Sequence, residues 1–113
     1  MSTRGRAAEE AAATFLAARG LRLRERNWRC RFGEIDLVCE DGPALVFVEV
    51  RQRASAAFGG AAGSITAAKQ ARLVAAARQY LAGLSRPPAC RFDAVLVDAA
   101  CEVTDWIRDA FGE

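Results

Sequence analysis

The sequence predicts an α/β fold in which a mixed central β-sheet is flanked by helices. Three observations carry that expectation. An alanine-rich segment with apolar residues at helical spacing opens the chain, and three segments of strand composition follow one another across short turns. A second helical segment then leads into a further strand. That last connection is a crossover, so the third and fourth strands run parallel if they are neighbours.

The elements follow in order. Between Arg6 and Ala18, the residues Ala8, Ala12, Phe15 and Leu16 recur at helical spacing, and Gly20 supplies a stop. Leu21 to Cys30 alternates, with Leu21, Leu23 and Glu25 on one side and Arg22, Arg24 and Arg26 on the other, as in a half-buried strand with a wet arginine side. Phe32 to Glu40 reads as a second strand and Ala44 to Arg51 as a third, with a Gly-Pro turn signal at Gly42-Pro43. Gln52 to Gly63 reads as a loop whose Phe58-Gly59-Gly60 stretch suits a mobile cover over a site. Ser64 or Thr66 caps a second helix, which runs to about Leu84 with Ile65, Leu73, Val74 and Leu81 as its apolar positions and ends at Arg86-Pro87-Pro88. Cys90 to Val97 is a further strand, a short strand or turn follows, and Thr104 to Phe111 reads as a short capped helix. With no repeat or dividing linker, residues 1–113 form one domain.

At 113 residues the chain is long enough to bury a core without metal or disulfide support. Its 52% hydrophobic and 27% charged content are those of a folded soluble protein. No apolar run approaches the roughly 18–20 residues that span a bilayer. The N-terminus leads into an Ala/Glu helix pattern instead of an apolar signal core, so the expected location is cytoplasmic, with no membrane partner. Cys30, Cys39, Cys90 and Cys101 lack CxxC spacing and the chain has no histidine, which favours small apolar residues kept reduced over a zinc site. The net charge is only +2, yet six arginines stand against the single acid Glu25 between Arg19 and Arg31. Such a segment is either a phosphate-binding edge or the solvated face of a strand.

The segments Gly33 to Val38 and Leu45 to Arg51 place carboxylates inside apolar runs, which is costly unless something pairs with them. Regular alternation puts Glu34, Asp36, Val38 and Glu40 on one face of the second strand, and Leu45, Phe47, Glu49 and Arg51 on one face of the third. A hairpin loop of two or four residues sets Asp36 opposite Glu49 and Glu34 opposite Arg51; a three-residue loop sends the carboxylates to opposite faces. Facing carboxylates repel unless one is protonated or a cation sits between them, and oxygen ligands without histidine suit Mg²⁺ or Mn²⁺. The competing reading is an edge salt bridge from Glu34 to Arg51 with Asp36 and Glu49 solvated.

The blocks GEIDLV, VFVEVRQR, FGGAAGSIT with a following Lys69, and RFDAVLVD resemble the YraN-like bacterial family, a branch of the PD-(D/E)xK nuclease superfamily. The resemblance extends from Glu9 to Phe111. It implies a restriction-endonuclease-like fold and a metal-dependent nuclease acting on DNA, including branched or damaged DNA in repair or recombination. Carried onto this chain, it implies Asp36 and Glu49 as metal ligands with Glu9 as an accessory acid, and Arg51 where the superfamily has lysine. Lys69 or Gln70 would touch the phosphate, and Glu34 belongs to the motif without a defined role. Arg51 stays protonated, so it can clamp a phosphate but cannot serve as a general base. The arginines Arg24, Arg26, Arg29, Arg31, Arg53 and Arg72 are the expected phosphate contacts, giving salt-dependent binding without sequence preference. Trp28 and Phe32 are candidates for base stacking as well as for core packing. Two other readings stand beside the nuclease: a nucleic-acid-binding module that keeps the fold but not the chemistry, and a structural or interaction role, as a homodimer for example.

Overall fold

The computed structural model describes residues 3–52 and 65–112. Their order is α1 (Thr3–Ala18), β1 (Arg22–Cys30), β2 (Gly33–Asp41), β3 (Ala44–Gln52), α2 (Ala67–Ala82), β4 (Cys90–Val97) and β5 (Val103–Phe111). The five strands form one sheet in the order β1-β2-β3-β4-β5, antiparallel throughout except for the parallel pair β3–β4 that α2 connects. The α/β class, the mixed sheet and the crossover therefore stand as expected. The loop expected at 52–63, with its Phe58-Gly59-Gly60 cover, and the Ser64 cap lie outside the described residues apart from Gln52, which ends β3.

The helices take opposite faces of the sheet. Ala8, Ala12, Ala13 and Leu16 of α1 pack on Leu37, Cys39, Val46, Val48, Val95 and Val97. Ala76, Ala77 and Tyr80 of α2 pack on Ile35, Val38, Leu45, Phe47 and Phe92. Alanine at the contact positions lets each helix backbone approach the sheet closely, which brings the Glu9 carboxylate within reach of the strands. No helix is long and apolar enough to cross a membrane.

The C-terminal segment corrects the sequence reading. Thr104 to Phe111 is not a helix but most of the edge strand β5, paired along β4 from Val97–Val103 to Phe92–Phe111. Two interruptions in that register mask the alternation that would have marked a strand. At one of them Asp109 takes φ 52, and its N–H donates to the fully buried Asp93 carboxylate at 2.9 Å. Trp106 Nε1 donates to the same carboxylate at 2.9 Å, and Arg91 Nε lies 3.0 Å from it. A long-range network overrides local propensity here.

The opposite edge, β1, also departs from simple alternation. Its register with β2 shifts between Leu23 and Glu25, and Asn27 has φ 51. Arg24 consequently reaches α2 (Nε to Tyr80 Oη, 2.7 Å), as does Glu25, while Arg26 reaches α1 (Glu10 Oε2, 2.6 Å). The arginines expected on one wet face divide between the two helices, and Leu23, expected to share the buried side of Leu21, is 40% exposed. Bulges and charge on an outer strand discourage edge-to-edge pairing with another sheet.

Candidate metal and nucleic-acid site

The β2–β3 hairpin pairs Asp41 with Ala44 and continues to Leu37–Val48, so its loop is the two residues Gly42-Pro43. Gly42 adopts φ 58 at the first central position, where a tight hairpin turn requires it. The even loop brings the ladder to Leu37–Val48, and just beyond it the Asp36 and Glu49 side chains meet. The two carboxylates hydrogen-bond to each other, and Asp36 Oδ2 also accepts from the Val50 N–H at 2.9 Å.

At Asp36 the alternation of β2 breaks. Ile35 packs with Val38 beneath α2, while Leu37 and Cys39 lie beneath α1. Across the ladder stands Asn27, between the residues that face Leu37 and Ile35, and its left-handed backbone permits the break. Glu34 therefore does not continue the face of Val38. It joins Glu9 instead, and the carboxylate oxygens of Glu9, Glu34 and Asp36 all lie within 4.8 Å of one another. On its β1 side Glu34 faces Arg29, with Arg29 Nε 3.4 Å from its Oε2.

Asp36 thus touches acids on both sides, Glu9 of α1 and Glu49 of β3. Glu9 lies on the buried stripe of α1, one helical turn before Ala12 and Ala13, and is 5% exposed. Burial, and then the Asp36 charge, push the Glu9 carboxyl from 4.5 up to about 7, with the Asn27 amide opposing. The same two causes push Glu49 up to about 8, with the Lys69 ammonium opposing. Lys69 is set by the start of α2: Thr66 caps the helix by accepting from the Lys69 N–H at 3.1 Å, and Lys69 Nζ then lies 3.4 Å from Glu49 Oε1. A cavity of about 130 Å³ opens beside these groups, lined by Gly33, Glu34, Asp36, Lys69, Arg72 and Leu73.

The remaining expected contacts separate cleanly. Arg51 follows Glu49 by two residues along β3 and so shares its strand face. Arg72 lines the cavity, and Arg31 is exposed at the β1–β2 turn. Gln70 is not among the residues lining the cavity, and its side chain donates to the Ile65 carbonyl at 3.0 Å. Arg24 and Arg26 are bound to Glu40 and Glu10. Arg53 lies outside the described residues. Asn27 escaped the sequence reading. As the chain's one asparagine, in the middle of an arginine-rich strand, it carried the only available signal, since Asn tolerates left-handed backbone better than most residues.

Comparison with known proteins shows the family. The family described as "Uncharacterised protein family UPF0102" matches residues 8–97, which span most of α1, all of α2 and strands β1 to β4. A UPF0102 protein of Nitrosomonas europaea is 56% identical over 111 residues, covering 97% of this chain and 94% of its own length. One of Dechloromonas aromatica is 56% identical over 111 residues, covering 97% and 89%. One of Janthinobacterium is 54% identical over 106 residues, covering 94% and 85%. On a match of that extent, consistent with the YraN-like resemblance, the chain belongs to the UPF0102 family.

Proposed function

We propose that this protein is a metal-dependent nuclease that hydrolyses phosphodiester bonds in DNA, with branched or damaged DNA of repair or recombination as its substrate and the cytoplasm as its place of work. One observation carries the reading: Asp36 sits between Glu9 and Glu34 on one side and Glu49 on the other, with Lys69 against Glu49. Four carboxylates so close, two of them held above their ordinary range, are an expensive arrangement for a fold to keep without a cation.

The donor set fits Mg²⁺ or Mn²⁺. Its atoms are hard carboxylate oxygens, and Glu34 Oε1 is buried without a hydrogen-bond partner. Glu9, Glu34 and Asp36 would hold the ion, with Glu49 on the side of Asp36. When bound, such an ion polarises a phosphoryl oxygen and makes water more acidic. The chain's own groups supply the rest. Lys69 and Arg72, one helical turn apart on α2, offer positive charge to a phosphate entering the cavity. Arg51, on the Glu49 face of β3, adds a guanidinium for the pentavalent phosphorus. Water adds to phosphorus, the bridging P–O bond breaks, and a proton passes to the departing oxygen, leaving a phosphomonoester and an alcohol.

The test is cleavage of flapped, branched and single-stranded DNA with Mg²⁺ or Mn²⁺ by the wild type, Asp36→Ala and Glu49→Ala. Metal-dependent cutting by the wild type alone supports the reading. Binding without cutting by the wild type replaces it with the non-catalytic binding module.

A further inference from the structure

We infer that the tip of the β1–β2 hairpin, Arg31-Phe32, is a stacking platform for an unpaired base of the DNA strand whose phosphate enters the carboxylate cleft. This rests on the nuclease reading of that cleft and adds the form of DNA it takes. The sequence offered Trp28 and Phe32 as equal candidates for stacking, and the fold separates them. Trp28 makes an edge-on contact with Tyr80, with centroids 5.2 Å apart, and packs into the layer beneath α2. Phe32 is 37% exposed and carries the Arg31 guanidinium 4.9 Å from its ring centroid.

Position gives that exposed ring its meaning, since a single surface phenyl is otherwise unremarkable. The next two residues, Gly33 and Glu34, line the cavity that holds Asp36, Lys69 and Arg72. A side chain begun at Gly33 would stand 3.6 Å from Arg72 Cβ, so the turn lies directly against the basic face of α2. The exposed Arg29 side chain pairs with Glu34 on the same rim. An aromatic face flanked by guanidiniums thus adjoins the acidic cleft at a distance of one residue, about 3.8 Å along the backbone. Guanidiniums fit phosphates and an aromatic face fits a base, so the rim matches a nucleotide. A base inside a duplex hides both faces in the stack, and only an unpaired or frayed one can reach the ring.

The experiment uses the whole chain, Ca²⁺ in place of Mg²⁺ to hold back turnover, and DNA carrying 2-aminopurine either in a single strand or inside a blunt duplex. The wild type and Phe32→Trp are expected to quench the single-strand probe on binding. Phe32→Ala is expected to lose the quenching and to bind the single strand about tenfold more weakly, with blunt-duplex affinity held within about twofold and an unchanged melting temperature. Equal single-strand affinity and quenching in Phe32→Ala and wild type overturns the inference, as does an equal loss on both DNA forms. A wild type that neither binds nor cuts DNA removes the nuclease reading and this inference together. A wild type that binds or cuts while indifferent to residue 32 removes this inference alone.

Discussion

Glu9 and Glu49 hold their protons more tightly in the fold than in the unfolded chain, because burial and the Asp36 charge both disfavour ionisation. Groups with raised folded values stabilise fully below the unfolded value, here 4.5, and lose that contribution as pH rises through about 7 and about 8. The metal-free melting temperature should therefore decline between pH 5 and pH 8, more gently in Glu49→Gln. Mg²⁺ or Mn²⁺ should recover more of it at pH 8 than at pH 5, since binding to the folded form alone stabilises it. Parallel pH profiles for the wild type and Glu49→Gln would show that the decline does not come from ionising Glu49. Lys69 belongs to the same scale. Lys69→Met removes the ammonium against Glu49 and should lower DNA cleavage by about a hundredfold or more with the fold retained, as measured by single-turnover rates beside circular dichroism.

At the scale of elements, the two edge strands are shaped by polar residues rather than by their apolar pattern. Asp93 grips β5 through Trp106, Asp109 and Arg91 from a fully buried position. Asp93→Ala leaves those donors unpaired inside the fold and should cost about 3–5 kcal/mol of stability, read from urea unfolding. A loss under about 1 kcal/mol would show that β5 is held by its apolar contacts alone. The hairpin that sets the Asp36–Glu49 register depends on Gly42 at φ 58, where an added Cβ meets nothing within 4 Å. Gly42→Ala should therefore cost only backbone strain, about 1 kcal/mol, without changing metal response.

At the scale of the whole molecule, the three layers meet over one end of the sheet. There α1 delivers Glu9, β2 and β3 deliver Asp36 and Glu49, and α2 delivers Lys69. The basic residues divide into those that brace this arrangement and those that face outward. Arg24 is bound to Tyr80 and Glu40, whereas Arg72 lines the open cleft. Arg24→Ala should lower the melting temperature with DNA affinity within about twofold of wild type. Arg72→Ala should leave the melting temperature in place and weaken DNA binding, with a shallower salt dependence. The reverse pattern would return the β1 arginines to the role of phosphate edge.

By itself the sequence determined the α/β class and the strand–helix–strand crossover, and it made the opposition of Asp36 to Glu49 depend on an even hairpin loop. Each follows from local signals: the period of the apolar residues, the turn chemistry of Gly42-Pro43 and the parity of a two-residue loop. The tertiary structure alone decided three further matters. Glu34 turned from the Val38 face to meet Glu9 and Asp36, because a left-handed Asn27 in the neighbouring strand breaks the pleat. The expected last helix became β5, because a buried aspartate from β4 holds its bulge. All four arginines of β1, Arg22, Arg24, Arg26 and Arg29, closed on acids of the chain itself. These outcomes depend on groups that meet only after the sheet and helices pack, and no spacing along the chain encodes such meetings.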